Sequence, residues 1–142
     1  AMRNIEDFDY SLSDVLDDTL YALNQYDSEN IETLSNLFVS TLAKANSLFG
    51  NNAFRCFINE KWSAPARMIY DPMMMVLSQP DIVVEETNVA SNVTQLQEFY
   101  NNAIYTKEDG SEERVFDGKH QSKEDILRRA NALDEFVRSL IK

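Results

Sequence analysis

The stretch "FGNNAFRCFINEKWSAPARMIY", from Phe49 to Tyr70, decides the fold because it joins the two most regular apolar patterns of the chain. Gly50 stands where a left-handed residue ends a helix, and the Asn pair after it continues the turn. Pro65 suits the first turn of a following helix, where a missing N–H group leaves no bond unmade. The residues between them fit either a helical turn or a loop with a little extended structure. Three aromatic side chains are interpreted as packing groups that fix the angle between the two helices: Phe54, Phe57 and Trp62.

The residues on either side of this join predict two helices. The first carries one apolar stripe, which comprises Ile31, Leu34, Leu37, Phe38, Leu42, Ala45, Leu48 and Phe49. Ser28 or Asn30 can cap its start. The second, over residues 66–79, is almost wholly apolar and should be a central buried helix. Pro72 should kink or split it, and Pro80 should end it.

The rest of the chain predicts three further helices. Near the amino terminus, Ser13 is a candidate N-cap, and apolar residues recur at helical spacing from Val15 to Leu23. Residues 82–84 fit a short strand or a helix edge, and a helix follows from about Ser91. Ser122 and Asp125 resemble a capping box at the start of the last helix.

These patterns predict an all-α fold: a single-domain bundle of about five helices over residues 1–142, with at most a minor strand. A chain of 142 residues suits one domain and can bury a real core. Gly and Pro are scarce, at three each, which favours long helices over many short strands. Residues 1–12 should form an arm, and residues 107–121 an exposed acidic loop.

The charge of the chain is strongly negative but uneven. A formal net charge of −11 argues against broad nucleic-acid binding, because clustered Lys and Arg supply phosphate affinity. Residues 1–32 carry nine acids against Arg3, whereas residues 44–67 carry four basic residues against Glu60. Both an ordinary charged surface and a local basic patch fit this distribution. The candidate contact residues for a partner or a nucleic acid are Arg55, Asn59, Lys61, Arg67, Arg128 and Arg129.

The sequence predicts no catalytic, cofactor or metal site in this chain. Cys56 is its one cysteine and His120 its one histidine, whereas a zinc site needs about four such ligands. A single cysteine excludes an intramolecular disulfide and fits a reduced, cytoplasmic setting. There is no glycine-rich phosphate loop, and no apolar run approaches the roughly 20 residues that span a bilayer, so we expect no membrane partner.

The order of these signals resembles one family. A helix ending Leu48-Phe49-Gly50 is followed by Ala53-Phe54-Arg55, then by Ile58-Asn59, and then by the buried segment "MIYDPMMMVLS". The last helix carries the pattern IxxRxxxLxxFVxxL, from Ile126 to Leu140. Together these segments are similar to the C-terminal helical half of the GmrSD-type, ParB-like nuclease proteins of bacterial restriction-modification and anti-phage defence.

The resemblance implies an accessory role without catalysis. In that family a separate ParB-like domain carries the nuclease chemistry, and its motif has no matching positions here. Arg55 and Asn59 match the helical region, which implies no catalytic role for them. The chain would be an excised region or a truncated relative that packs on a catalytic domain or a partner chain and helps to position nucleic acid. The alternative, which the charge favours, is a free-standing acidic module, an inhibitor or a mimic, that docks on a basic partner.

Overall fold

The computed structural model describes residues 21, 22, 25, 27–117 and 121–141. The predicted arm, nearly all of the predicted first helix and His120 lie outside these residues. The described helices are α1 (Ser28–Phe49), α2 (Arg67–Leu77), α3 (Val89–Asn102) and α4 (Lys123–Leu140). The strands are β1 (Arg55–Ile58), β2 (Lys61–Pro65), β3 (Ile104–Thr106) and β4 (Glu112–Arg114).

The predicted all-α bundle of about five helices is wrong. The described part of the chain holds four helices and two antiparallel two-stranded sheets, β1–β2 and β3–β4, which makes a small mixed α/β fold. The join that decides the fold forms the first of these hairpins. Gly50 does end α1, at φ 56°, and its N–H group donates to the carbonyl oxygen of Asn46.

The β1–β2 hairpin turns on two residues in the left-handed region. Ile58 pairs with Lys61, and between them Asn59 and Glu60 have φ angles of 52° and 62°. Positive φ at both central residues is the geometry of a type I′ turn, whose usual sequence is Asn-Gly or Asp-Gly. Asn59 fits that pattern and Glu60 does not. The hairpin therefore has no strong sequence signal.

Pro65 closes β2 instead of opening α2. It lies opposite Arg55, with a register shift between Arg55 and Phe57, and α2 begins only at Arg67. Proline is tolerated at the end of an edge strand because no ladder bond needs its missing N–H group. Helix α2 then runs without a break across Pro72, so the predicted split does not occur.

The second hairpin lies partly within residues 107–121, which were expected to form an exposed acidic loop. Tyr105 pairs with Glu113, and Gly110, at φ 84°, lies in the turn between the strands. Two apolar residues follow β4 directly, and both are buried: Val115 is 8% exposed and Phe116 is 1% exposed. The hairpin brings them back to the core, which is why the acidic composition of this stretch is misleading.

Of the other helix caps, that of α4 follows the sequence prediction and that of α1 does not. Asp27, and not the predicted Ser28 or Asn30, caps α1 by accepting a bond from the Asn30 N–H group at 2.9 Å. Asn88 caps α3. The predicted capping box of α4 is confirmed, because Ser122 and Asp125 each bond the other's backbone N–H group. Residues 82–84 are irregular, being neither strand nor helix.

The hydrophobic core lies where the C-terminal half of α1 meets α2, α3, α4 and β1. Aromatic rings connect these elements: Phe99 stacks on Phe136 with centroids 4.6 Å apart, and Tyr100 meets Phe116 edge-on at 5.2 Å. The largest fully buried side chains are Tyr100, Phe49, Phe116, Leu48, Ile69, Met73, Met74, Leu77, Ile82, Leu96, Leu133 and Val76. Among the described residues, no helix combines the length and apolarity needed to cross a bilayer.

Candidate interaction surface

The β1–β2 hairpin carries three of the six predicted contact residues. Asn59, at the turn, and Lys61, which begins β2, are exposed, whereas Arg55 is partly buried. The Nε atom of Arg55 is buried and has no hydrogen-bond partner among the described residues. Glu60, which precedes Lys61 in the chain, is also exposed and carries the opposite formal charge. The tip of the hairpin is thus close to neutral and does not form a concentrated basic patch.

The three other predicted contact residues, all arginines on helices, make internal contacts. Arg67 pairs with Asp71 one turn along α2, at 3.1 Å. The guanidinium carbon of Arg128 lies 3.8 Å from the ring centroid of Tyr105, and Nη1 of Arg128 donates to Asp125 at 3.0 Å. Arg129 is 3% exposed, and burial lowers its pKa. Arg129 therefore offers almost no surface to a partner.

Arg114 is a partly buried polar anchor that sequence reasoning missed. Its Nη2 atom donates to the carbonyl oxygens of Phe57 and Tyr100, at 3.3 and 3.2 Å, and so ties β4 to β1 and to the end of α3. The Tyr100 hydroxyl is buried without a partner among the described residues, and burial raises the pKa of Tyr100. Its sequence gives no hint of this role, since "EERVF" resembles an exposed charged segment.

Cys56 lies beside this anchor and is fully buried. Burial raises the pKa of its thiol from 9.0 to about 11, against the opposing effect of the nearby Arg114 charge. The thiol is therefore protonated at neutral pH and is a poor nucleophile.

Across the described residues, no group of three or more His, Cys, Asp or Glu side chains is placed to hold a metal ion.

Arg138 is the second polar centre, and the sequence predicts its i,i+4 pair with Asp134 but not its partners outside α4. It donates to Asp81 at 2.6 Å, to Gln79 at 3.0 Å and to both carboxylate oxygens of Asp134. These bonds join α4 to the turn that follows α2. The hydrogen bond from Arg138 is the largest influence on Asp81 and lowers the pKa of its carboxyl group. This network stabilises the fold, and its hydrogen-bonding groups are used within the domain.

The feature that points outward is the apolar stripe of α1. Its C-terminal part is buried, with Ala45, Leu48 and Phe49 each at most 1% exposed. Its N-terminal part is not, since Ile31 is 51% exposed and Phe38 is 47% exposed. We call the N-terminal part the open stripe; it comprises Ile31, Leu34, Leu37 and Phe38.

The open stripe continues the core-facing side of the same helix. At about 100° per residue, its four side chains fall within the same ~120° sector as Thr41, Ala45, Leu48 and Phe49. Every residue from 28 to 40 is exposed except Leu34, which is partly buried. Within the part of the chain that the structure describes, one amphipathic face is therefore half covered and half exposed.

The exposed half of α1 is also a weak helix by composition. Residues 28–40, "SENIETLSNLFVS", are rich in Ser, Asn and β-branched residues, which rank low in helix propensity. An isolated helix of this length is marginal in water even with better residues. Its order relies on the Asp27 cap and on continuity with the buried half. A contact along the open stripe would supply the missing stabilisation.

No family model matches this chain, and neither a curated protein nor a solved structure matches it. The resemblance to the GmrSD-type proteins therefore stays a prediction that rests on the residues quoted above.

Proposed function

We propose that this chain is a non-catalytic accessory module of a restriction or anti-phage defence nuclease-type protein, and that it docks on a catalytic domain or a partner chain. The docking is carried by one observation, the open stripe of α1. The defence setting rests on the family resemblance, and the cytoplasmic setting on the single cysteine.

The open stripe has the character of an anchor for another protein. Contiguous exposed apolar surface on a folded domain typically marks an interaction site. Ile31, Leu34 and Phe38 follow the i, i+3, i+7 spacing with which a helix inserts its apolar face into a partner. Full burial of one large apolar side chain contributes about 1.5–3 kcal/mol, so several half-exposed anchors contribute a few kcal/mol before the entropic cost of association.

A photo-crosslinking experiment tests this function. A benzophenone amino acid is placed at Phe38 in the full protein, expressed in its own host, and a matched probe is placed at Asn36, which lies about 160° around the helix from the middle of the stripe. We expect the Phe38 probe, and not the Asn36 probe, to crosslink a chain or domain that carries nuclease activity. Crosslinking to the same extent at both positions would contradict docking through the stripe.

A substitution provides the functional readout. Phe38→Lys places a charge in the proposed contact, and Asn36→Lys places the same charge on the opposite face. Both side chains are exposed, so both variants should fold with unchanged circular dichroism. We expect Phe38→Lys to abolish phage restriction by the parent system and Asn36→Lys to preserve it. If the Phe38→Lys variant still restricts phage as well as the parent system does, the open stripe has no part in the proposed function.

Nucleic-acid positioning is a second proposed role, favoured by the exposure of Asn59 and Lys61 on the β1–β2 hairpin. A mobility-shift titration of the chain with duplex DNA, at 50 and 200 mM salt, tests it. Phosphate contacts predict weaker binding at the higher salt and with Lys61→Glu. Binding that ignores both changes, or no binding at 50 mM salt, would contradict the role.

A further inference from the structure

The sequence contains one acceptor motif for N-glycosylation, Asn92-Val93-Thr94, and the structure places it in α3. We infer that Asn92 serves as a helix cap in the folded chain, and that an N-glycan on Asn92 and the native packing of α1 against α3 exclude each other. The inference concerns the fold and does not depend on the proposed docking function.

Asn92 is too deeply buried to carry a glycan. N-glycans are bulky and belong on the surface of a folded protein. Asn92 is 8% exposed, and its Nδ2 atom, to which a glycan would be joined, donates to the carbonyl oxygen of Leu48 at 3.1 Å. Protein interiors are close-packed, so the contact between α1 and α3 leaves no room for a sugar ring beside Nδ2.

The Asn92 amide also has a structural role at the end of α1. The last carbonyl groups of a helix have no hydrogen-bond partner within it. Thr87 donates from Oγ1 to the carbonyl oxygen of Ser47 at 2.6 Å, and Asn92 donates to the next carbonyl along the chain, that of Leu48. Leu48 is 0% exposed, so water does not replace a lost bond there. Asn92 is therefore a cap that a neighbouring helix supplies.

The helical conformation divides the motif between two sides of α3. Asn92 follows Val89 by three residues and precedes Leu96 by four, so the three side chains share one face. Leu96 is 0% exposed, and Val89 lies against the end of α1, since a Cβ atom built on Gly50 would be 3.4 Å from Cγ1 of Val89. Thr94 lies about 160° around the helix from Asn92 and is exposed. The acceptor asparagine thus belongs to the packed face.

Glycan transfer before folding would leave a substituent that this packed face cannot accommodate. In the transfer, Nδ2 forms a bond to C1 of the first sugar, the bond from C1 to the lipid diphosphate of the donor breaks, and one amide hydrogen leaves as a proton. The ends of α1 and α3 could not close around the sugar, and the Leu48 carbonyl oxygen would stay unpaired. A chain that folds in the cytoplasm, as proposed above, meets no such conflict.

Secretion of the full chain from a eukaryotic host tests the inference, because such a host glycosylates acceptor motifs before the chain folds. A signal peptide is added to the chain, and limited proteolysis selects the folded molecules. Mass spectrometry measures the share with a glycan at Asn92 before and after proteolysis. We expect proteolysis to lower that share at least about tenfold. Folded molecules that retain a glycan at Asn92 would overturn the inference.

A shifted acceptor motif provides the matched control. Gln95→Asn with Gln97→Thr creates a motif three residues further along α3, and Thr94→Ala removes the natural one. Position 95 is exposed. We expect the folded molecules of this variant to carry a glycan at position 95, at a share at least about ten times that at Asn92 in the parent chain. Equal exclusion of both glycans from the folded molecules would show that burial of Asn92 is not the cause.

Two substitutions test the cap without any glycan. Asn92→Asp replaces the NH₂ donor by a carboxylate that faces the Leu48 carbonyl oxygen, whereas Thr94→Ala removes the motif and leaves the Asn92 amide in place. We expect Asn92→Asp to lower the urea midpoint of unfolding by at least about 0.5 M, and Thr94→Ala not to lower it. Equal midpoints for the two variants would contradict the capping role of Asn92.

Discussion

At the scale of single residues, Glu60 is the clearest misfit between side chain and backbone. Its φ of 62° lies in the left-handed region, which costs a residue with a Cβ about 1 kcal/mol or more. Glycine adopts this conformation freely but adds entropy to the unfolded chain. We predict that Glu60→Gly raises the free energy of unfolding by about 0.5–1 kcal/mol, measured by urea denaturation.

Glu85→Gly is the matched control for that prediction. Glu85 is exposed and is not among the described residues with positive φ. Glycine there should lower the free energy of unfolding by a few tenths of a kcal/mol, because it adds only unfolded-state entropy. If the two substitutions change stability in the same direction, the type I′ turn is the wrong account of the hairpin.

The Cys56 thiol should be unreactive in the folded protein. Burial excludes reagents, and a pKa raised to about 11 leaves about one thiol in a thousand ionised at pH 8. We predict that iodoacetamide labels Cys56 at least about a hundred times more slowly in the native protein than in 6–8 M urea at pH 8. Mass spectrometry follows the labelling. Equal native and denatured rates would show that the thiol is open to solvent.

At the scale of elements, α1 should have two halves of different stability. Amides in its C-terminal half are protected by the core, whereas those in residues 31–39 belong to a bare helix of low propensity. We predict that residues 31–39 exchange their amide hydrogens at least about a hundred times faster than residues 45–49, as resolved by NMR. Equal protection along the whole helix would mean that the open stripe is already covered in solution.

The helices could be predicted from the sequence far better than the strands. Periodicity located the stripe of α1, Gly50 marked its end, and Ser122 marked the start of α4. The β1–β2 hairpin was missed because Asn59-Glu60 lacks the glycine that usually signals such a turn. The β3–β4 hairpin was missed because its strands are three residues each and β4 is wholly charged.

The candidate site could be predicted only in part, for a related reason. Periodicity shows which face of a helix is apolar, but not how much of that face the rest of the chain covers. The sequence therefore predicted the stripe of α1 but not that half of it is exposed. Composition likewise identified Arg128 and Arg129 as charged candidates. It could not show that Arg128 stacks on Tyr105 or that Arg129 is buried.

At the scale of the whole molecule, the boundary of the core crosses α1 between Phe38 and Phe49. The two rings have the same chemistry and lie on the same face of one helix, but Phe38 is 47% exposed and Phe49 is 0% exposed. Phe49 also stacks near Phe136, with centroids 6.2 Å apart, so that its ring helps to hold α1 against α4. The fold of the domain should therefore depend on one ring and not on the other.

We predict that Phe49→Ala lowers the free energy of unfolding by about 3–5 kcal/mol, because it leaves a cavity in the core. Phe38→Ala should change it by less than about 1 kcal/mol, since water already reaches the ring. Urea denaturation measures both. Comparable losses would place Phe38 inside the folded core, and the open stripe would then be part of what holds the domain together. A loss confined to Phe49→Ala leaves Phe38 free to contribute its apolar surface to a partner instead.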